Sequence, residues 1–301
     1  MSDLTLDPRE VPLGGLRGLQ VFRTLPSKPL PTIGAWCFVD HFGPTDQTMD
    51  VLPHPHTGLQ TVTWPIAGEI RHRDSLGNDV VLRPGELNLM TSGDGVSHSE
   101  FSVAGSGRMH GVQLWVALPD ERRLGPAGFE HHPDLPRIEG PGWTGTVLVG
   151  RFAGGTSKAT VYTPLVGAEL RLGPGRHGFD LDPSFEYGVL AVDGDVVVQE
   201  EALPHRSLRH LAAGGDRLAL QVDRPTIALV LGGAPFTEEL VMWWNFIGRT
   251  HEDIVAARDD WQAQAARFGH VDGHDGQIIA APPMPHVRLR PRRRHLDDTA
   301  T

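Results

Sequence analysis

The sequence is poor in cysteine and has no long apolar run. Its 301 residues include one cysteine, Cys37, which excludes an internal disulfide and a thiolate metal cluster and agrees with a reducing compartment. No segment approaches the run of about 18 apolar residues that a membrane span requires. Residues 1–7 are acidic and lack the basic and apolar regions of a secretion signal. We therefore expect a cytoplasmic protein without a membrane partner.

Positive charge is also scarce. The formal net charge of -10 repels a phosphate backbone, so nucleic acid is not the expected partner. In contrast, the 36 glycines and 25 prolines make up about a fifth of the chain, well above the usual share. Their spread along the sequence predicts many turns and many short strands, in a chain long enough for one large or two ordinary domains.

Two stretches of the chain have the alternating apolar pattern of strands. In the first, the pattern predicts antiparallel strands over residues 59–66, 69–73, 80–82, 87–90 and 110–116. In the second, it predicts strands over residues 146–149, 158–164, 168–172, 188–192, 196–199, 218–222 and 227–231. Asp193-Gly194 is expected to form a hairpin turn between two of these strands. The repetition predicts two similar β units.

The C-terminal part contains one helical pattern. Thr250 can cap a helix over about residues 251–268, and Gly269 ends it. From residue 282 to the end the chain has no apolar period, and it carries five arginines between Arg288 and Arg294. This Arg-rich tail is expected to be disordered, with a role as a nucleic-acid or partner anchor as the alternative.

Two short motifs carry the chemistry, His54-Pro55-His56 and His98-Ser99-Glu100. Residues i and i+2 of a strand project from the same face, so each motif presents two ligand-type side chains in one direction. A meander of antiparallel strands between the motifs can bring the second pair beside the first. Three imidazoles and one carboxylate would then converge inside the first unit, and the alternative is that these histidines are structural.

Three imidazole nitrogens and one carboxylate oxygen suit a first-row divalent metal, and Fe(II), Mn, Ni, Cu and Zn are all chemically plausible. In a six-coordinate site, four protein ligands leave two positions for a substrate or dioxygen, which indicates catalysis or sensing. A closed structural zinc site is the alternative, but such sites usually depend on cysteine.

Several segments together resemble the pirin family of the cupin superfamily. They are residues 54–64, the segment His72-Arg73-Asp74-Ser75-Leu76-Gly77, residues 90–100, the opening segment Asp40-His41-Phe42-Gly43-Pro44, and residues 113–119. The resemblance covers about the first 120 residues well. It is looser at the C-terminus, where Trp243-Trp244-Asn245-Phe246 departs from the family ending.

The resemblance implies an all-β bicupin fold, two tandem antiparallel β-barrels of the jelly-roll type with a C-terminal helix. It divides the chain into an N-terminal, metal-binding cupin over residues 1–120, a connector over 121–145, a metal-free C-terminal cupin over 146–235, and a C-terminal segment over 236–301. The resemblance also implies one divalent metal, with Fe(II) favoured over Mn, Ni, Cu, Zn and Co. Its ligands would be the residues that match the family's, His54, His56, His98 and Glu100.

The family offers two functions. Bacterial relatives include enzymes that open the heterocyclic ring of flavonols such as quercetin with dioxygen and release carbon monoxide. By analogy, this chain is expected to be a metal-dependent dioxygenase that takes a small aromatic substrate and dioxygen, with Glu100 as the catalytic base. The alternative is a non-enzymatic, redox-sensitive iron protein that regulates a protein partner. Both hypotheses need the same ligands.

Some residues depart from the family pattern, and others have more than one possible role. Gln60 stands where relatives commonly carry Glu, which favours Glu100 as the carboxylate ligand. The second unit has Leu181 and Pro183 near its expected His-x-His positions, and its remaining candidates are expected to be surface or packing residues, namely His177, Glu186, His205 and His210. His72 and Asp74 are expected either to orient a ligand histidine, to line the cavity or to lie on an exposed face. Most of the aromatic residues of the first unit are expected in the core, with one or two in a pocket wall, namely Trp36, Phe38, Phe42, Trp64 and Trp115.

Overall fold

The computed structural model describes residues 4–13 and 19–292, which form many short strands and one α-helix. The first half contains β1 (Leu4–Leu6), β2 (Arg9–Pro12), β3 (Gln20–Leu25), β4 (Trp36–Thr45), β5 (Asp50–His56), β6 (Leu59–Ala67), β7 (Ile70–Asp74), β8 (Asp79–Leu82), β9 (Leu87–Thr91), β10 (Val96–Ser102), β11 (Met109–Ala117) and β12 (Gly128–His132).

The second half contains β13 (Arg137–Gly140), β14 (Trp143–Val149), β15 (Arg151–Phe152), β16 (Gly155–Thr156), β17 (Leu165–Leu172), β18 (Gly175–Asp180), β19 (Glu186–Asp193), β20 (Val196–Val198), β21 (Glu201–Leu203), β22 (Leu208–Leu211), β23 (Arg217–Val222), β24 (Thr226–Gly233), β25 (Val241–Trp243), β26 (Phe246–Gly248) and α1 (His251–Gln262). At twelve residues, α1 is too short to cross a bilayer, and no other α-helix lies in the described ranges.

Each half builds one large and one small antiparallel sheet. In the first unit, a seven-stranded sheet (β12-β9-β6-β11-β4-β3-β2) accompanies a four-stranded sheet (β5-β10-β7-β8). In the second unit, the sheets are β1-β22-β19-β24-β17-β14-β13 and β18-β23-β20-β21. The predicted fold class, all-β with two tandem barrels and a C-terminal helix, is confirmed.

A shared apolar core joins the two units. Strand alternation places Val112, Leu114 and Val116 of β11 on one face, and these side chains cluster with Leu229 and Leu231 of β24. Burying a side chain of this size contributes about 1.5–3 kcal/mol. Because this face of the large sheet is used for the interface, the alternate residues of β11 face the interior of the first barrel. That alternation decides which side chains can reach a site there.

The structure differs from the sequence-based expectations in the second unit. Residues 158–164, expected as a strand, have none, because the main chain of Thr160 bonds side chains instead: its carbonyl accepts from Gln60 and its N–H donates to Glu130. The expected hairpin at Asp193-Gly194 is also wrong, since β19 and β20 belong to different sheets and the turn carries the chain between them.

Strands and strand pairing cross the predicted domain limits. Strands β12 and β13 lie within residues 121–145, and β1 pairs with β22 of the second unit. The helix ends at Gln262, and a separate 3-10 turn, Ala266–Phe268, follows it. Thr250 and Asp253 form the capping box at its start. The end of the Arg-rich tail, residues 293–301, lies outside the described residues, so the expectation of disorder there stays a prediction.

Candidate metal centre

The predicted ligands lie on two neighbouring strands of the small sheet of the first barrel. Strand β10 is central, paired with β5 on one side and β7 on the other. In this register, His98 lies opposite His54 on β5, and Glu100 lies opposite His72 on β7. Directly opposed residues of an antiparallel pair have neighbouring side chains. The ladder therefore brings together residues that are 44 positions apart in the chain.

A β-bulge orients the first histidine. Between His54 and Val51, β5 has one residue more than the facing part of β10, and Leu52 lies in this irregular stretch. The Nδ1–H of His54 donates to the Leu52 carbonyl oxygen at 2.9 Å. A carbonyl can only accept, so Nδ1 carries the proton and the neutral ring keeps the lone pair on Nε2. His54 is thus prepared to ligate through Nε2.

The three histidines converge on one point. His56 Nε2 and His98 Nε2 are 3.0 Å apart, and His54, His56 and His98 each offer a nitrogen within 4.8 Å of the others. All three are buried. Burial lowers the pKa of His54 to about 4 and holds the pKa values of His56 and His98 well below their usual range. The imidazoles are therefore neutral near pH 7, the form that binds a metal ion.

Glu100 belongs to an adjoining group of side chains. Its carboxylate lies within 4.8 Å of nitrogens of His72 and His98, which form a second possible ligand set. The hydroxyl of Thr63 donates to Glu100 Oε1 at 3.0 Å. Burial raises the pKa of Glu100, which makes its carboxylate a better proton acceptor. Since His98 belongs to both groups, the cluster suits one metal ion, while Glu100 as the fourth ligand stays a prediction.

His72 and Asp74 face the interior, and neither is on an exposed face. The Asp74 carboxylate accepts from the Asn78 side chain and from two backbone N–H groups, so it acts as an acceptor toward His72 Nε2 at 3.1 Å. His72 Nε2 therefore carries a proton. In the neutral ring, His72 Nδ1 can then accept from His98 Nδ1, 3.4 Å away, which leaves His98 Nε2 free for a metal. Of the three expectations, orienting a ligand histidine fits this geometry.

A cavity of about 500 Å³ opens onto the cluster. Phe38 and Trp115 form one wall, their rings stacked with centroids 4.0 Å apart. Trp115 also meets the edge of His56, at 5.2 Å between ring centroids. Trp243 and Trp244 of the C-terminal segment also line the cavity. The cavity has the volume and the apolar lining of a small-molecule site.

Sequence reasoning identified part of this lining. Phe38 and Trp115 are the pocket-wall aromatics among the five candidates, whereas Trp36, Phe42 and Trp64 lie in the cores. It missed Gln113 and the Trp243-Trp244 segment. The signal for Gln113 was present, since it alternates with the interface residues of β11. The tryptophans carried no such signal, because their place depends on how the C-terminal segment folds back.

The second barrel has a different interior. An apolar cluster fills its core, formed among others by Phe179, Val189 and Leu220. Glu186 and His210, expected to be surface or packing residues, are buried. They are paired at 3.1 Å, and Glu186 also accepts from the main-chain N–H of Gly34. Within the described ranges, groups of three possible ligands occur in the first barrel alone.

Comparison with known proteins agrees with this architecture. The family profile described as Pirin matches residues 18–116, and the profile described as Pirin C-terminal cupin domain matches residues 167–269. The chain belongs to the pirin family. The resemblance inferred from the sequence is confirmed, and the match to the second unit is firmer than the looser C-terminal resemblance indicated.

Individual pirin relatives are similar over nearly their whole length. A Pseudomonas aeruginosa protein named "Putative quercetin 2,3-dioxygenase" is 45% identical over 282 residues, 92% of this chain and 89% of its own. A Caulobacter vibrioides "Pirin-like protein" is 34% identical, over 94% of this chain and all of its own. The crystal structure of quercetin 2,3-dioxygenase from Acinetobacter baumannii superimposes with a TM-score of 0.92 at 40% identity, covering 97% of this chain and 98% of that one.

Proposed function

We propose that this pirin is a metal-dependent dioxygenase that opens the heterocyclic ring of flavonols such as quercetin. The observation that carries the proposal is the junction of the buried histidine cluster with an aromatic-walled cavity. A solvent-facing metal site would suffice for a regulator, whereas a cavity with stacked aromatic rings in its wall beside the ligands suits a planar aromatic substrate. The names of the similar Pseudomonas and Acinetobacter proteins support the same substrate class.

The proposed ligands are His54, His56, His98 and Glu100, and Fe(II) is the favoured metal. Neutral imidazoles and a carboxylate match its preferred donors, as they match those of Mn, Ni, Cu, Zn and Co. Such an ion would supply Lewis-acid and redox chemistry to a flavonol and dioxygen. The described residues fit this group: three neutral imidazole nitrogens meet within 4.8 Å.

Glu100 is the proposed general base. A flavonol must lose the proton of its ring hydroxyl before dioxygen attacks the electron-rich ring, and the buried carboxylate of Glu100 lines the cavity where that hydroxyl would lie. The raised pKa of Glu100 favours this proton transfer. Thr63 holds one carboxylate oxygen in place. The aromatic wall of Phe38 and Trp115 would orient the ring and exclude water.

The test is turnover by protein loaded separately with each metal ion. Oxygen uptake and carbon monoxide release are measured with quercetin, for the wild type and for His56→Ala, with His286→Ala at an exposed position as the control. We expect the wild type to release one carbon monoxide for each dioxygen that it consumes. This activity should be lost in His56→Ala and retained in the control. Firm metal binding without turnover of any flavonol, together with a reproducible protein partner, would contradict the proposal and favour the regulator.

A further inference from the structure

Gln113 has a buried side chain whose amide lacks a partner. It is 5% exposed and lines the cavity beside the histidine cluster. Within the described part of the chain, neither its Oε1 nor its Nε2 makes a hydrogen bond, and Oε1 is fully shielded. Leaving a buried amide unsatisfied is costly, so such a group in a native protein needs an explanation, and a role in binding or catalysis is one.

The position of Gln113 brings it close to Glu100. It lies on β11 directly opposite Thr63 of β6, and Thr63 is the residue whose hydroxyl bonds Glu100. Adjacent strands are about 4.8 Å apart. Trp115, two positions further along β11, forms the aromatic wall on the same face. Gln113 therefore borders the part of the cavity between the wall and the proposed base.

Gln60 shows how a second buried glutamine of the same sheet is held. It points to the opposite face, toward the second unit, and its Nε2 donates to Thr91 Oγ1 and to the Thr160 carbonyl, both at 3.0 Å. Its Oε1 alone has no partner among the described residues. Protein contacts thus fix the Gln60 amide. The Gln113 amide, in contrast, has no hydrogen bond to any residue that the structure describes, and it faces a cavity.

We propose that Gln113 is a substrate-contact residue that donates its amide N–H to the ketone oxygen of the flavonol. This inference rests on the proposed function. Once Glu100 has taken the hydroxyl proton, the flavonol presents two neighbouring acceptor oxygens, the ketone and the oxyanion. An amide N–H complements such acceptors, whereas a carboxylate at the same position repels them. The contact selects substrates that carry a ketone beside the ionised hydroxyl.

The test measures equilibrium binding without oxygen, so that no turnover occurs. Quercetin and 3-hydroxyflavone are titrated into Fe(II)-loaded protein while tryptophan fluorescence is followed. 3-Hydroxyflavone has the same ring system and the same hydroxyl–ketone pair but none of the other hydroxyl groups of quercetin. Loss of one hydrogen bond should raise the Kd of both ligands about tenfold in Gln113→Leu. The isosteric Gln113→Glu should raise it further. Gln60→Leu is the matched control and should leave both Kd values unchanged, and iron binding should be the same in all four proteins.

Each other result contradicts the inference in its own way. Unchanged Kd values in both Gln113 variants would mean that the amide does not touch the ligand. Weaker binding of quercetin alone would place the contact at a remote hydroxyl and overturn the assignment to the ketone. If the wild type binds neither flavonol, the proposed function fails and this inference fails with it. Should Gln113→Leu not fold, the isosteric glutamate variant decides the question alone.

Discussion

Acid should destabilise this protein through a histidine pair that lies away from the metal centre. His41 and His110 are both buried, and their Nε2 atoms are 3.0 Å apart. Such a contact needs one N–H and one lone pair, so protonating both rings breaks it. Burial lowers the pKa of His110 to about 4; the Asp193 carboxylate opposes this lowering, and His205 and Arg206 add to it.

The sign and size of the effect follow from linkage. Below its ordinary pKa of 6.5, His110 takes up a proton in the unfolded chain but stays neutral in the folded one until about pH 4. The unfolded state then binds more protons, so stability falls as the pH drops from 6.5 toward 4. Between pH 7 and pH 5, this one residue accounts for about 2 kcal/mol of the unfolding free energy.

The assay is urea unfolding followed by tryptophan fluorescence, at pH 7 and pH 5, with EDTA present so that metal release does not contribute. In His110→Gln, the loss of unfolding free energy between the two pH values should be about 2 kcal/mol smaller than in the wild type. His286→Gln, at an exposed position, should keep the full wild-type difference. An equal loss in His110→Gln and the wild type would refute the reasoning.

Three further outcomes are expected. Asp74→Asn should weaken metal affinity about 10- to 100-fold in a calorimetric titration. The Asn amide has one acceptor oxygen, which the N–H groups of Leu76 and Asn78 occupy, so its NH2 group replaces the oxygen that accepts from His72. Asp79→Asn, at an exposed carboxylate, is the control, and equal affinities in the two variants would contradict the role. Adding a binding metal at 100 times its Kd should raise the unfolding free energy by about 2.7 kcal/mol, and His98→Ala should abolish this gain in thermal melts. Leu114→Ala, in the core that joins the two units, should lower the unfolding free energy by about 2–5 kcal/mol; a loss below 1 kcal/mol would show that the two barrels do not depend on this contact.

The two ligand motifs of the candidate metal centre could be identified from the sequence because strand geometry is local. A His-x-His or His-x-Glu pair in an extended segment must project from one face, whatever the rest of the fold does. The register of β10 against β5 then brings the two pairs together. The place of the carboxylate was harder to predict, because Glu100 is grouped with His72 and His98 rather than with His54 and His56, and the residue sequence alone does not choose a side-chain direction.

Long-range contacts explain where sequence reasoning failed. Residues 158–164 have a strand-like composition, but Glu130 and Gln60 bind the main chain at Thr160 and prevent a ladder. Asp193-Gly194 has the composition of a hairpin turn, yet the strands on its two sides pair with β22, β24, β21 and β23. Turn chemistry fixes a local reversal, whereas strand pairing depends on partners tens of residues away.

The sequence by itself determined the all-β class, the two-unit organisation and the three clustered histidines of the candidate metal centre, because period-two alternation, turn residues and ligand spacing act over a few neighbouring positions. Only the tertiary structure decided that Gln113 lines the cavity with no hydrogen-bond partner among the described residues and that Trp243 and Trp244 complete the cavity wall. Both facts depend on contacts between segments that are far apart in the sequence, and no local sequence pattern specifies such contacts.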